Sequence, residues 1–434
     1  MDMVAPGIGV GAGTEAATLA RVSRRLLPFL FVLLVVNYLD RVNIGFAALR
    51  MNRDLGFGPA VFGFGAGVFF VGYALFEVPS NLALHRFGAR LWLGRIMVSW
   101  GVVSGAMALV QGEASFYALR FLLGVAEAGF LPGVVYYLTD WFPAERRARA
   151  IAGVVVAIAI SPAIGSPLSG AVMQGADGAW GLHGWQWMFL VEALPAVLLG
   201  VATLAWLPDR PRDAAWLAPE ERAWLESTLA AERAALAPAA HVGVGALLRM
   251  GRIWRLAAMF SCLLTAFYSV LLWLPQIVAQ LGGQSDLRTG LLAAIPCACA
   301  AVAMLALARS SDRTGERRLH VAGSLLVAGL ALLASVAVHG PLGAFLLLCV
   351  VAAGLWAALP LVWTMAASFL TGAAAAGGIA LVNTLAQVGG FAGPWMVGLI
   401  RQRTGSFGDA LLVLGAFALV ASAIAASLRE DGAR

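Results

Sequence analysis

Long uninterrupted apolar runs alternate along the chain with short breaks made of arginine, aspartate, glycine and proline. The runs show neither the two-residue alternation of a half-buried strand nor the one-sided stripe of a surface helix. They stay apolar for about 20 residues, the length a helix needs to cross a bilayer. Twelve such stretches are predicted as helices at 26–48, 60–84, 92–111, 116–138, 150–173, 186–207, 255–280, 289–308, 320–339, 343–366, 375–400 and 409–428. Inside hydrocarbon every backbone N–H and C=O must be satisfied within the segment itself, which favours helices for runs of this length. The pattern therefore predicts an all-α integral membrane protein of two six-helix bundles. A tail over 1–25 leads into a first bundle over 26–207, and a linker over 208–254 leads into a second bundle over 255–428 and a tail over 429–434.

Composition agrees. Of 434 residues, 61% are apolar and only 12% charged, more apolar surface than a soluble core can absorb. The first 20 residues lack the basic start, apolar core and small-residue cleavage site of a removable signal peptide. All 29 basic residues are arginine, and their placement orients the chain. One set of loops holds 21, grouped around Arg21, Arg86, Arg146, the central segment from Arg210 to Arg255, Arg313 and the C-terminus. The opposite set holds five: Arg50, Arg53, Arg288, Arg401 and Arg403. Because basic residues stay cytoplasmic, both termini and the linker are expected there, in a bacterial inner membrane. The net charge of +6 is read as topology, not as affinity for nucleic acid. Within the linker, the run beginning Pro219-Glu-Glu-Arg222 predicts a short amphipathic helix beside the membrane.

Enzyme chemistry finds no footing: there is no Ser/His/Asp set, no HExxH, no phosphate-binding glycine loop and no cofactor motif. Cys262, Cys297, Cys299 and Cys349 lie in apolar runs with no metal-ligand spacing and are read as packing residues. No metal or cofactor is expected.

The two halves look related. Arg86-Phe-Gly88-Ala-Arg90 after the second helix recurs as Arg313-Thr-Gly315-Glu-Arg317 after the eighth, at an offset of 227 residues. Pro167 and Pro394 share that offset. A parallel tandem repeat about an axis along the membrane normal follows. Intramembrane charge, however, is confined to the first half: Asp40, Arg41, Glu77, Arg120, Glu127 and Glu192, with Arg95 near enough to a helix end to snorkel. At the repeat offset Asp40 and Arg41 correspond to Phe267 and Tyr268. A charge in mid-bilayer is costly unless it is paired or lines a cavity, so these are functional candidates. Asp40, Arg41, Arg120 and Glu127 are expected to form one four-member network, neutral at rest. Entry of a carboxylate would make it one charge negative unless a proton came with it. Glu77 and Glu192 are read instead as satisfying backbone or loop arginines.

Six segments carry a family resemblance: Asn37-Tyr-Leu-Asp-Arg-Val-Asn-Ile-Gly45, Phe76-Glu-Val-Pro-Ser-Asn81, Arg120-Phe-Leu-Leu-Gly-Val-Ala-Glu-Ala-Gly129, Gly184-Trp-Gln-Trp-Met-Phe189, Trp273-Leu-Pro-Gln276 and Gly389-Gly-Phe-Ala-Gly-Pro394. Through them the chain resembles the major facilitator superfamily. Within it, the resemblance is to the bacterial anion:cation symporters of tartrate, phthalate, hydroxyphenylacetate and sugar-acid type. The resemblance implies that Arg41 contacts a substrate carboxylate, that Asp40 and Glu127 carry protons, and that Arg120 bridges the acids. Tyr38 and Tyr73 match family binding positions. Ala386-Gln387 stands where the family has a Gly-Asn pair, with Asn383 one turn earlier as a further binding candidate, and Trp273 and Trp363 are candidates for an aromatic wall. The loop motifs Arg86, Gly88, Arg90 and Asp312, Arg313, Gly315, Arg317 are implied to gate, with His85 in place of the usual aspartate. The implied function is proton-coupled uptake of a small organic anion by a monomer that uses the proton gradient as driving force. Export is the alternative, raised by Gly165-Ser-Pro-Leu-Ser-Gly170, and a non-transporting sensor is another.

Overall fold

The computed structural model describes residues 12–235, 244–369 and 374–428. Residues 1–11 of the predicted N-terminal tail and the whole tail 429–434 lie outside that description. Among the described residues the chain is helical throughout, with no strand. In order, the helices are α1 (Ala12–Asp54), α2 (Pro59–Phe87), α3 (Ala89–Ala106), α4 (Glu113–Glu127), α5 (Phe130–Thr139), α6 (Ala144–Val155), α7 (Ala157–Gly175) and α8 (Gly184–Trp206). After these come α9 (Pro219–Ala235), α10 (Val244–Leu248), α11 (Gly251–Gly282), α12 (Asp286–Thr314), α13 (Arg318–Ala337), α14 (Pro341–Phe369), α15 (Ala374–Thr404) and α16 (Gly408–Ser427).

Ten spans among the described residues are long and apolar enough to cross a membrane, with α4–α5 and α6–α7 each acting as one. α1 and α15, of 43 and 31 residues, stand at the first and eleventh positions of the predicted series and are long enough at about 1.5 Å per residue. α1 begins at Ala12, well before the predicted start at 26. The fourth span is split because Gly129 takes a left-handed backbone, φ 84°. A Cβ there would also lie 2.6 Å from the Ser80 hydroxyl. The break leaves Glu127 as the last residue of α4.

The linker helix α9 forms where the sequence places it, but its apolar face is covered by protein. Leu225 and Leu229 are buried, Glu221 accepts from Arg21 at 2.9 Å and from Thr18 at 3.3 Å, and Glu232 pairs with Arg147 at 3.1 Å. The helix thus straps the start of α1 to α6. In the loop motifs, Gly88 and Gly315, one repeat apart, both end their helices with positive φ, 87° and 70°. The Arg90 N–H donates to Asp209 at 2.8 Å, and Arg317 donates to the Thr364 carbonyl at 3.3 Å. Arg86 lies over the Phe87 ring, while Asp312 and Arg313 are exposed. His85 packs its ring edge on Tyr136 at 4.2 Å.

The bundles meet through two copies of one contact. A Cβ on Gly63 of α2 would lie 2.5 Å from the Pro394 carbonyl of α15; a Cβ on Gly290 of α12 would lie 2.3 Å from the Ser166 carbonyl, beside Pro167 of α7. Gly63 and Gly290, like Pro167 and Pro394, are one repeat apart, so α2·α15 and α12·α7 are related crossings. Between them α1 crosses α11, where a Cβ on Gly45 would lie 2.7 Å from the Leu272 carbonyl; that pair is again one repeat apart. Small residues let the backbones close where lipid gives no hydrophobic drive for helix association.

The end opposite the linker is tied by charge. Arg50, near the end of α1, pairs with Asp177 of its own bundle and, at 2.6 Å, with Asp286 at the start of α12 in the other. Asp177 accepts from the Gly184 N–H at 2.8 Å. That bond, with the Arg50 guanidinium beside it, holds its carboxyl below the usual carboxylate range. A depressed pKa contributes stability above the ordinary value near ~3.9 and loses it only as pH falls through the lower one. The Asp177 arm of the tie therefore stays charged from about pH 5 to pH 8.

Two predictions follow from this packing. Gly63→Val and Gly290→Val should each cost about 1–3 kcal/mol by overpacking, read as matching losses in detergent melting temperature, whereas Gly105→Ala, whose Cβ would meet its neighbour at an ordinary 3.5 Å, should cost little. Arg50→Ala, which breaks both ion pairs, should raise labelling of the interior from that end at neutral pH; unchanged labelling would refute the tie.

Candidate functional site

Midway along the interface, the Nε of Arg41 donates to Glu127 Oε1 at 2.7 Å, and a second guanidinium nitrogen approaches the same oxygen at 2.5 Å. Glu127 is 1% exposed and ends α4, where the helix dipole disfavours a carboxylate. Arg41 supplies the compensation. It also donates to the Tyr268 hydroxyl at 3.1 Å and lies over the rings of Tyr38, Tyr73 and Phe69 at 5.0, 5.1 and 5.4 Å. Tyr268 in turn packs on Phe70 at 4.1 Å between centroids. Arg41 and Tyr268 are one repeat apart, so the pseudo-symmetric mates touch each other across the interface.

The expected four-member network is not formed. Asp40 points away from Arg41, as adjacency on a helix requires, and accepts from Asn43 at 2.7 Å, from Ser104 at 2.6 Å and from the Trp100 indole. Arg120 does not bridge the acids: it donates to the backbone carbonyls of Gly65 and Ala66, both at 3.2 Å, and lies over Phe69. Gly65 and Ala66 leave those carbonyls reachable because they carry little or no side chain. Asp40, Arg41 and Arg120 nevertheless line one small cavity with Phe69, Phe70, Tyr268, Leu271 and Leu272. In this conformation it is too small for an organic acid.

The second-bundle residues divide. Gln387 is 7% exposed and its amide oxygen has no hydrogen-bond partner among the described residues. Asn383 donates to both oxygens of Glu77, at 2.7 and 2.9 Å. Trp273 lies outside the cavity: it packs on Phe62 at 4.8 Å and donates to the Pro394 carbonyl at 3.2 Å. Trp363 packs on Phe260 at 5.1 Å and is likewise not a lining residue. Glu77 and Glu192 satisfy neither backbone nor loop arginines. Glu77 reaches Asn383 across the interface, and Glu192 accepts from Ser169 at 2.6 Å.

Sequence reasoning missed Tyr268 as an acceptor for Arg41, although the repeat offset already paired the two. Asn43 lies in a segment singled out for its motif, three residues from Asp40 and so on the same helix face. Trp100 and Ser104 carry no signal of their own.

Two tandem helical bundles that enclose a buried arginine–carboxylate pair between them define a multi-pass membrane transporter rather than an enzyme. The family model described as Major Facilitator Superfamily matches residues 30–394, and the chain belongs to that family. A protein of Agrobacterium vitis provisionally named a tartrate transporter is 49% identical over 410 residues, 94% of each chain. A protein of Acinetobacter baumannii named a quinolone resistance transporter is 42% identical, over 92% of each. Among solved structures, the xylose transporter XylE from E. coli, in a partially occluded inward open conformation, superposes with a TM-score of 0.73 over 96% of this chain and 99% of that one. At 16% identity that likeness speaks to the fold.

Tyr268→Phe keeps the ring on Phe70 and removes the acceptor facing a charged donor. A loss of about 1.5–3 kcal/mol is expected, seen as a lower melting temperature, with Tyr268→Ala worse because the ring contact goes as well.

Proposed function

We propose that the protein is a proton-coupled symporter that takes up a small organic anion: a sugar acid, a tartrate-like dicarboxylate or an aromatic acid. The observation that carries this reading is the Arg41–Glu127 pair held between the bundles. Arginine stays charged at all accessible pH, and a carboxylate left unpaired at this depth is strongly disfavoured. A substrate carboxylate that takes the Arg41 guanidinium therefore displaces Glu127, and Glu127 must bind a proton to leave. One proton per carboxylate restores neutrality, so the loaded site, like the empty Arg41–Glu127 pair, can close and reopen on the other face, whereas a site holding the anion without the proton cannot. The hydroxyls of Tyr38 and Tyr73, already on the Arg41 face, can donate to substrate oxygens, and the bare amide oxygen of Gln387 can accept from a substrate hydroxyl. Asp40 serves as the second proton carrier. Alternating access by rocking of the two bundles supplies the volume that the small cavity lacks. The name borne by the Agrobacterium vitis relative supports an organic anion. The arginine bias supports a cytoplasmic linker and termini in the inner membrane, with the protein acting as a monomer.

Export is the second reading, favoured by the name of the Acinetobacter baumannii relative. One assay separates the two: uptake of labelled galactonate, tartrate, phthalate and 4-hydroxyphenylacetate into proteoliposomes with and without an inward proton gradient. One acid is expected to accumulate only with the gradient. Glu127→Gln should reduce accumulation to the no-gradient level, and Arg41→Ala should weaken binding about tenfold or more. Gradient-driven efflux of a quinolone with no anion uptake would replace symport by export.

A further inference from the structure

The mechanism above uses the acids Glu127 and Asp40. On α8, which packs against α1, stands a buried acid it does not use. Glu192 of α8 is 2% exposed, as is Asp40, and among the described residues neither is ion-paired with an arginine. Their surroundings differ in kind. Asp40 accepts three donors, Asn43, Ser104 and Trp100, which is how a buried carboxylate is held ionised. Glu192 accepts only from Ser169, at 2.6 Å, while its Oε2 is buried with no partner. An ionised carboxylate offers about four acceptor sites; one donor and a bare oxygen is the arrangement of a neutral acid in a dry interior. The Asn43 side chain donates to Asp40 from α1, the helix that packs against α8.

Depth orders the two acids. Glu192 is eight residues from the start of α8, about 12 Å from the end opposite the linker; Asp40 is fourteen residues from the end of α1, about 21 Å from the same face. Trp185, in the first turn of α8, donates to Asp54 at 3.1 Å, which fixes the two helix ends at one level. Asp40 borders the central cavity; Glu192 does not. The charged groups facing Asp40 are Arg120 and Glu127, and the titratable group facing Glu192 is Asp40 itself.

We propose that Glu192 is a second proton-holding acid, which passes its proton past the Asn43 amide to Asp40 and so links the face opposite the linker to the central cavity. The proton leaves a Glu192 oxygen and arrives on an Asp40 oxygen, so one acid of the two is neutral and one ionised before and after. Glu192 then rebinds a proton from the face it lies nearer. This assignment rests on the symport reading for its role, but not for its first test.

That test is infrared difference spectroscopy across pH on the purified protein in liposomes, with no substrate present. Wild type is expected to show the carbonyl stretch of a neutral carboxylic acid that disappears in Glu192→Gln and shifts in Ser169→Ala, which keeps the acid but removes its donor. In the uptake assay Glu192→Gln should slow gradient-driven accumulation roughly tenfold or more and move its pH profile. The proposal is overturned if the band survives in Glu192→Gln, or if Ser169→Ala leaves it unmoved. It is equally overturned if Glu192→Gln, folded and active, keeps the wild-type pH profile. If no anion is transported at all, the symport reading fails while the band still decides whether Glu192 holds a proton.

Discussion

Charge neutrality in a medium that cannot solvate ions is the constraint on which this protein turns. Arg41 cannot lose its charge, Glu127 ends a helix whose dipole works against it, and the carboxylate is buried while the guanidinium is largely so. Each is tolerable because of the other. The aromatic faces of Tyr38, Tyr73 and Phe69 and the hydroxyl of Tyr268 complete the guanidinium's shell without adding a competing charge. On the proposed mechanism, whatever engages Arg41 leaves Glu127 an unpaired carboxylate, which a proton neutralises.

The tandem repeat explains how such a pair comes to lie between the bundles. Duplicated crossings at Gly63 and Gly290 give two equivalent seams, and α1 meets α11 at positions one repeat apart. The halves share a scaffold and differ in what they carry. The first brings the charge and the second brings Tyr268 and amides. Putting the ionisable groups on one side leaves, among the described residues lining the cavity, no second-bundle charge facing Arg41. At the end opposite the linker, Arg50 joins both bundles through ordinary ion pairs near the membrane surface, where charge is cheap.

Within the first bundle, the direction in which a side chain leaves α1 divides the labour. Residues one apart diverge by about 100°, so Asp40 and Arg41 face different worlds. Arg41 faces the cavity and the other bundle; Asp40 faces α3, with Trp100, Ser104 and Asn43 around it. Arg120, two turns before Glu127 on α4, finds backbone carbonyls instead of acids because Gly65 and Ala66 expose them.

What the sequence determined by itself follows from the solvent. Twenty-residue apolar runs can only be helices in hydrocarbon, the offset of 227 residues marks the duplication, and an intramembrane arginine declares itself because it is so costly there. The linker helix and the candidate status of Asp40, Arg41, Arg120 and Glu127 were legible for the same reasons. Pairing was not. That Arg41 takes Glu127, that Asp40 turns to an indole and a serine, that Arg120 rests on carbonyls, that Trp273 packs away from the cavity, and that Glu77 and Glu192 find an amide and a hydroxyl were decided by the tertiary structure. Depth and composition tell which groups need a partner, but partners several helices apart in sequence are chosen by the angle at which side chains leave their helices and by how closely glycines let those helices approach.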